Sequence, residues 1–194
     1  MTKIKLALFA SGTGSNVIRF IEYFKNHPSI EVSFVLTNKN DAPVIEKVKA
    51  ISNIPVLIFN NNIVADGEKL KDICSVQNID YIILAGYLRK IPESFTKAFP
   101  NKIINVHPSL LPKFGGKGMY GKYVHEAVLA NQEVESGISI HFVNEEFDEG
   151  KIIAQHKCTL KTTEDLSSLQ QKIQLLEHQF FPLEVEKVIQ NNLK

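Results

Sequence analysis

Near the middle of the chain the sequence reads Ile103-Ile104-Asn105-Val106-His107-Pro108-Ser109-Leu110-Leu111-Pro112. The apolar residues are typical of a buried strand, and Pro108 stops the strand because proline has no backbone N–H to donate. We therefore expect Asn105 and His107 where a strand ends and a loop begins. Open α/β sheets bind ligands at the carboxyl ends of their strands, although polar side chains at such a place also serve to cap turns.

Strands and helices alternate along most of the chain. Apolar runs predict strands at residues 4–10, 30–36, 55–59, 81–85 and 103–106. Helices are predicted at residues 17–24, 42–51, 68–76, 92–99 and 123–130. This alternation predicts a doubly wound α/β fold, in which a largely parallel twisted sheet carries helices on both faces. If the sheet order reverses at the strand 103–106, that strand lies close to the first one.

The C-terminal part of the chain has a different pattern. Polar and apolar residues alternate over 136–143 and again over 151–160, which predicts an antiparallel strand pair with Ser139 and His141 on one face. A last helix is predicted from Thr162-x-x-Asp165, which resembles a capping box. Its apolar stripe is formed by Leu166, Leu169, Ile173, Leu176 and Phe180. Glu177 borders this stripe and needs a partner, which is either a neighbouring cation or a substrate group.

Composition indicates the broad class of protein. The 194 residues are 44% hydrophobic and show no composition break, so we expect a single domain over residues 1–194. The net charge is only +1, and acidic and basic residues are interspersed along the chain, which argues against nucleic acid or a membrane surface as the partner. Cys74 and Cys158 lack metal-ligand spacing and indicate inert thiols in a reducing compartment. We expect a cytoplasmic protein that binds small molecules as a monomer or weak homodimer.

A glycine-rich turn joins the first predicted strand to the first helix and reads Ser11-Gly12-Thr13-Gly14-Ser15-Asn16. Such a turn directs backbone N–H groups and a helix N-terminus at an anion. It is incomplete as a dinucleotide fingerprint, because Val17 stands in the place of the third glycine and no acidic residue follows the second strand. The turn favours a single phosphate, and the alternative is a turn that only connects two elements.

Three further loops are candidates for binding. Residues 86–92 follow a buried strand and contain Arg89, which is either a ligand contact or a solvated charge. Residues 113–121 are too rich in glycine for a regular element and are predicted to form a mobile flap. Residues 144–150 form an acidic loop between the two alternating strands, and acidic loops of this kind are usually solvated.

Three motifs together resemble the folate-dependent formyltransferase family. They are Asn105-Val106-His107-Pro108-Ser109-Leu110-Leu111-Pro112, Ser139-Ile140-His141-Phe142-Val143 and Phe147-Asp148-Glu149-Gly150. The resemblance extends from Lys3 to about Pro182 and implies the formyltransferase fold. The turn at residues 11–16 and the motif Glu177-His178-x-x-x-Pro182 resemble the member that formylates a phosphoribosyl glycinamide on the route to purines.

The resemblance implies transfer of a formyl group from 10-formyltetrahydrofolate to a primary amine through a tetrahedral oxyanion. It implies Asn105, His107 and Asp148 as the catalytic residues. Asn105 and a protonated His107 are expected to donate to the oxyanion, and Asp148 is expected to keep His107 charged by raising its pKa. The six histidines show no zinc-ligand spacing, so no metal is expected.

The same resemblance implies two sets of binding residues. The acceptor substrate is assigned to Gly14, Ser15, Asn16, Val17 and Glu177. The folate is assigned to Leu88, Arg89, Lys90, Ile91, Asn105, Asn144, Glu145, Glu146, Phe147 and Asp148. For the folate tail Lys69 is a weak candidate, and whether Lys113, Lys117 or His125 reaches a ligand is open.

Three alternatives differ in function. Methionyl-tRNA formyltransferase shares the central motifs but carries a C-terminal nucleic-acid-binding domain, which a chain of this length is not expected to contain. Formyltetrahydrofolate deformylase shares them too, but a regulatory domain precedes its catalytic domain, and here we expect the catalytic domain to begin at the first residue. A nucleotide-binding module without catalysis explains the glycine turn but leaves His107, Asp148 and Glu177 without a role.

Overall fold

Residues 3–192 are described in a computed structural model of the chain. The strands are β1 (Ile4–Ala10), β2 (Ile30–Thr37), β3 (Val56–Ile58), β4 (Tyr81–Leu84), β5 (Ile103–His107), β6 (Glu135–Phe142) and β7 (Ile152–Thr159). The helices are α1 (Ser15–Phe24), α2 (Val44–Ile51), α3 (Asn61–Val64), α4 (Gly67–Val76), α5 (Glu93–Ala98), α6 (Lys122–Ala130) and α7 (Leu166–Asn192). The strand order is β3-β2-β1-β4-β5-β6-β7. The predicted α/β class, with an antiparallel pair at the C-terminal end of a mostly parallel sheet, is confirmed.

The chain forms two compact units, Met1–Ile104 and Asn105–Lys194. The boundary falls inside β5, between its two apolar residues and its polar end. A single domain over residues 1–194 stays a prediction. No helix within residues 3–192 is both long enough and apolar enough to cross a membrane.

In the first unit β1 lies between two parallel neighbours. It pairs with β2 on one side and with β4 on the other. Every residue of β4 is buried, as expected of a parallel strand that is covered on both faces. The sheet order reverses between β1 and β4 and not at the strand 103–106, so β4 rather than β5 is the second neighbour of β1.

The helix α1 begins at Ser15, two residues earlier than predicted. Gly14 precedes it in a left-handed conformation with φ of 70°, which lets the chain turn into the helix immediately after the glycine turn. Two later helices in this unit begin with side-chain caps. The Asn60 side chain accepts from the backbone of α3, and the Asp66 side chain accepts from the backbone of α4.

In the second unit β6 and β7 form the predicted antiparallel pair, in register from Glu135 opposite Thr159 to His141 opposite Ile152. The register shifts between Ile140 and His141. Such an irregularity re-aims the side chain that follows it, and bulges are frequent beside functional sites. The shift lies immediately before His141.

The last helix, α7, packs against β6, β7 and α6. It begins at Leu166, directly after Asp165, whose carboxylate accepts a hydrogen bond from the backbone N–H of Ser168 at 2.7 Å. The predicted start at Thr162 is wrong, because the capping carboxylate belongs to Asp165, three residues later.

The apolar stripe predicted for α7 is only partly buried. Leu169 and Ile173 are buried, whereas Leu166, Leu176 and Phe180 are half-buried. Further along the helix the buried face consists of Phe181, Pro182, Glu184, Val185 and Ile189. Glu177 lies between these two buried groups and is half-buried, as its position beside the stripe predicts.

Candidate active site

Asn105 and His107 lie at the carboxyl end of β5, as predicted. The side chain of His107 is only 4% exposed, while Asn105 is half-buried. Strand alternation places the two residues on the same side of β5. The strand therefore presents an amide and an imidazole together at its end.

Both ring nitrogens of His107 face oxygen atoms. The Nε2 atom lies 2.8 Å from the backbone oxygen of Phe114, and a carbonyl can only accept, so Nε2 carries a proton and donates. The Nδ1 atom lies 3.4 Å from Oδ2 of Asp148. Because a carboxylate also accepts, protonation of Nδ1 gives this carboxylate a charged partner.

Asp148 is held between two histidines. Its Oδ2 atom accepts a hydrogen bond of 2.9 Å from the backbone N–H of Gly116, and its Oδ1 atom lies 3.6 Å from Nε2 of His141. The residue has a positive φ of 59°, an uncommon conformation for a residue other than glycine. The acidic loop thus directs this one carboxylate inward, and the side chain is only 13% exposed.

His141 completes the cluster and was not predicted as a site residue. Its Nδ1 atom lies 2.8 Å from the backbone oxygen of Phe142 and donates to it. Its Nε2 atom lies 3.1 Å from Nδ2 of Asn105 and accepts from that amide. These bonds select the neutral form of His141 with its proton on Nδ1. The sequence signal was the alternation of β6, which had placed His141 and Ser139 on one face.

Ser139 holds the loop that follows β5. Its hydroxyl donates to the backbone oxygen of Ser109 at 2.7 Å and accepts from the backbone N–H of Leu111 at 2.8 Å. The Gln155 side chain donates to the same hydroxyl and to the backbone oxygen of Leu111. These hydrogen bonds provide partners for buried polar groups of the loop, and they hold the chain that follows His107 in place.

Burial is the largest effect on the pKa of both histidines. Burial lowers the pKa of His107, against the opposing effects of the Asp148 carboxylate and the Phe114 carbonyl. The pKa of His141 is lowered in the same way, with the Phe142 carbonyl and Asp148 opposing the effect of burial. Asp148 raises the pKa of His107, as predicted, but desolvation outweighs the carboxylate and leaves the pKa below its ordinary value in the ligand-free protein. A protonated His107 during catalysis stays a prediction.

The glycine-rich segment contributes backbone groups to the cluster. Residues 108–121 contain no helix or strand, as predicted. Phe114 and Gly116 supply the carbonyl and the N–H described above. A Cβ atom on Gly115 would lie 2.5 Å from the end of the Leu111 side chain and 3.3 Å from the Asp148 side chain, so this segment lies close to both residues. Its mobility stays a prediction.

The basic residues near this segment have different environments. Lys113 forms an ion pair of 2.9 Å with Glu133, and Lys117 is exposed. His125 is buried in α6, and its Nδ1 atom has no hydrogen-bond partner within residues 3–192. Burial lowers the pKa of His125, and the electrostatic effect of the neighbouring His107 ring lowers it further. Lys69, the candidate for the folate tail, forms an ion pair with Asp66 at 3.3 Å.

The predicted phosphate turn has the geometry of a helix N-terminus. The first hydrogen bond of α1 runs from Ile18 N–H to the Gly14 carbonyl, so the N–H groups of residues 15–17 point out of the amino end of the helix. Asn16 and Val17 are buried and Ser15 is half-buried. A Cβ atom on Gly14 would lie 2.2 Å from the Val44 side chain, so both contact and φ require glycine here.

The remaining predicted binding residues lie in loops and on α7. Leu88, Arg89 and Lys90 are exposed in the loop after β4, and Ile91 is buried. In the loop after β6, Asn144, Glu146 and Phe147 are exposed, whereas Glu145 is half-buried. The Asn144 side chain accepts from the backbone N–H of Glu146 at 3.1 Å. Within the second unit the structure brings together Asn105, His107 and Asp148 with His141, while the ligand roles of the other residues stay predictions.

Within residues 3–192 no group of three or more His, Cys, Asp or Glu side chains is arranged to hold a metal ion. The chemistry that the cluster offers follows from the side chains it contains. It combines an amide donor, an imidazole of lowered pKa and a carboxylate within reach of that imidazole. Such a set can stabilise an oxyanion and move a proton.

The mostly parallel α/β sheet, with an Asn-x-His pair at a strand end and an aspartate facing the histidine, fits the formyl transferase family that the sequence motifs resemble. The chain belongs to this family, whose profile, described as formyl transferase, matches residues 4–185. It is 39% identical to the chloroplastic phosphoribosylglycinamide formyltransferase of Arabidopsis thaliana, over 98% of this chain and 67% of that protein. It is 33% identical to phosphoribosylglycinamide formyltransferase of Bacillus subtilis, over 95% and 94% of the two chains.

Solved structures agree with the sequence relatives. The crystal structure of phosphoribosylglycinamide formyltransferase from Bacillus halodurans superposes with a TM-score of 0.85 at 32% identity, and 95% of each chain is covered. The agreement of fold over nearly the whole length indicates that the elements carrying the cluster are those of the family.

Proposed function

We propose that this protein transfers the formyl group of 10-formyltetrahydrofolate to the glycinamide amine of phosphoribosylglycinamide. The products are the N-formyl compound and tetrahydrofolate, and the step belongs to de novo synthesis of the purine nucleotide IMP. Family membership and the names of the relatives support the reaction. The observation that carries it is the pair formed by His107 Nδ1 and Asp148 Oδ2 at 3.4 Å, placed at the end of β5.

The reaction sets three requirements on the site. The amine nitrogen forms a bond to the formyl carbon, and the formyl oxygen gains negative charge in a tetrahedral intermediate. The bond from that carbon to N10 of the folate then breaks, one proton leaves the amine and one proton reaches N10. The site therefore needs donors for the oxyanion and a group that holds a proton between the two nitrogens.

We assign the oxyanion donor to Nε2–H of His107. In the ligand-free protein this N–H donates to the Phe114 carbonyl, so the formyl oxygen has to take the place of that carbonyl as acceptor. Burial lowers the pKa of His107 in the ligand-free protein, and Asp148 opposes this effect. Asp148 therefore lowers the free energy needed to protonate the ring when negative charge develops on the substrate.

Asn105 has one N–H engaged and one available. The amide donates to Nε2 of His141, which fixes the orientation of the amide. An amide nitrogen has two N–H groups, so the second can donate to the oxyanion beside His107. We assign His141 as the residue that positions Asn105 for this role.

We assign the phosphate of the acceptor to Gly14, Ser15, Asn16 and Val17, supported by the helix N-terminus at this turn. Glu177 is assigned to the ribose or the glycinamide end. The folate is assigned to the loop 88–91, to Asn105 and to the loop 144–148.

We also propose a cytoplasmic monomer or weak homodimer that needs no metal and binds neither nucleic acid nor membranes. Its two free cysteines, Cys74 and Cys158, suit a reducing compartment.

The decisive assay measures tetrahydrofolate produced from 10-formyltetrahydrofolate, with and without phosphoribosylglycinamide and with no metal added. Production that depends on the glycinamide supports the transferase. Equal production without it indicates a hydrolase and removes the assignment of Gly14 to Val17 and Glu177. No production in either case, with both ligands still bound, favours a binding module.

A further inference from the structure

Ser11 is a buried polar residue that the proposed mechanism does not use. It follows β1 directly and is 1% exposed. Its hydroxyl donates to Oδ1 of Asn38 at 2.7 Å and accepts from the backbone N–H of Leu88 at 3.0 Å. Its own backbone N–H donates to the carbonyl of Gly86 at 3.0 Å. One residue thus makes three hydrogen bonds to two other loops of the first unit.

These bonds connect the ends of three neighbouring strands. Asn38 follows β2, and its amide donates to the Asn61 side chain at 3.1 Å. Leu88 lies in the loop after β4. The acceptor turn, residues 12–16, begins directly after Ser11 and leads into the residues assigned to phosphate, which are Gly14 to Val17. The Gly12 carbonyl accepts from the backbone N–H of Val44 at 3.3 Å, which fixes the start of that turn.

The Ser11 hydroxyl donates one hydrogen bond and accepts another, so the two bonds depend on each other. A serine hydroxyl has one hydrogen to donate, and this hydrogen is committed to Asn38. The torsion angle that points this hydrogen at Asn38 also sets the direction of the lone pair that accepts from the backbone N–H of Leu88. A displacement of either loop therefore disturbs both bonds, because the two bonds share one oxygen atom.

We propose that Ser11 is a positioning residue that couples the acceptor turn, residues 12–16, to the folate loop, residues 88–91. Order imposed on one segment by its ligand is passed through Ser11 to the other segment, so each ligand binds more tightly when the other is present. The inference rests on the proposed function for the identity of the two ligands. It goes beyond that function because it assigns a cooperative binding energy to Ser11, which is not among the residues assigned to either ligand.

Thermodynamic linkage makes the coupling measurable from either side. If phosphoribosylglycinamide raises the affinity for the folate by some factor, the folate raises the affinity for phosphoribosylglycinamide by the same factor. Tetrahydrofolate is the suitable folate probe, because it carries no formyl group and the ternary complex does not react. The measured quantity is the ratio of two dissociation constants for tetrahydrofolate, without and with saturating phosphoribosylglycinamide.

The experiment compares wild type with Ser11→Ala by isothermal titration calorimetry. We expect a ratio of about fivefold or more in wild type and a ratio near one in Ser11→Ala. The affinity for each ligand alone is expected to stay within about threefold of wild type, since no ligand contact is removed. Ser75→Ala, on the exposed face of α4, is the control and should keep the wild-type ratio.

A second variant covers the case in which Ser11→Ala does not fold. Asn38 is half-buried, and Asn38→Ala removes only the hydrogen bond that the Ser11 hydroxyl donates. We expect this variant to reduce the ratio of the two tetrahydrofolate dissociation constants without bringing it to one. A wild-type ratio of one, or an unchanged ratio in both variants, overturns the coupling while leaving the proposed function intact. A wild type that binds neither ligand overturns the proposed function, and this inference with it.

Discussion

The cluster at the end of β5 and the loops around Ser11 both organise strand ends, but they use different groups. In the cluster, His107, His141 and Asp148 are titratable and face one another within a buried site. Around Ser11 the bonds are neutral and run between a hydroxyl, an amide and backbone groups. A site that moves protons needs groups whose charge can change, whereas a site that holds a ligand needs groups whose geometry stays constant.

The difference predicts how each region fails. Substitution in the cluster should reduce the rate of the chemical step, and substitution in the loops of the first unit should alter binding or stability.

The largest effect is expected for His107→Asn. Loss of the imidazole removes the oxyanion donor and the proton carrier, so kcat should fall by about 10³-fold. Steady-state turnover with both substrates saturating measures the loss. His156→Asn, a histidine of β7 that lies 3.3 Å from Glu184, is the control and should retain activity. Retention of activity by His107→Asn would remove this histidine from the chemistry.

Asp148→Asn is expected to have the next largest effect. The variant keeps an oxygen for the Gly116 N–H but loses the charge beside His107, so kcat should fall by about 10²-fold. The pKa of His107 should fall further below its ordinary value, because the carboxylate is the main effect opposing burial. NMR titration of the His107 ring measures this shift. The exposed neighbour Glu149→Gln should leave both quantities unchanged, and a higher His107 pKa in Asp148→Asn would contradict the assignment.

Gly14→Ala tests the acceptor turn. The new Cβ atom would lie 2.2 Å from Val44 at a residue whose φ is 70°. We expect the free energy of unfolding to fall by about 1–3 kcal/mol and the KM for phosphoribosylglycinamide to rise. Thermal unfolding and initial rates measure the two effects. Gly12→Ala is the matched control for stability, because its Cβ atom meets nothing within 4 Å. Equal stability of the two variants would contradict the strain at Gly14.

The smallest effect concerns the pH dependence of stability. Burial lowers the pKa of His107, His125 and His141, so the unfolded chain takes up protons before the folded one as the pH falls. Stability is therefore fully present above the ordinary histidine pKa of about 6.5 and is lost as the pH falls through the lower pKa values of the folded state. Each 1 kcal/mol lost should lower the Tm by about 2–4 °C. Thermal scans between about pH 8 and pH 5 measure the change, and a constant Tm would contradict the burial of neutral rings.

Local sequence predicted most of the fold and half of the cluster. The strand ending at His107 was predictable because an apolar run and Pro108 lie side by side in the chain. The bond between Asn105 and His141 joins residues 36 positions apart, and the one between Gly116 and Asp148 joins residues 32 positions apart. Periodicity placed His141 on a face of β6 but could not identify its partner. Contacts made by the backbone of Phe114 and Gly116 have no side-chain signal at all.

The lowered pKa of His107 could not be predicted from the sequence, for a different reason. A nearby carboxylate raises a histidine pKa and burial lowers it, and the outcome depends on how much water the folded chain excludes. The sequence indicates the carboxylate but not the degree of burial. In the folded protein the His107 side chain is 4% exposed, and burial is the larger effect.

The most direct test of the division between chemistry and binding is the affinity of His107→Asn protein for phosphoribosylglycinamide, measured by isothermal titration calorimetry. We expect a Kd within about threefold of wild type in a variant that has lost turnover, because His107 is not among the residues assigned to phosphoribosylglycinamide. A Kd weakened by more than about tenfold would contradict it, since His107 would then contribute to binding the ground state as well as to the chemical step.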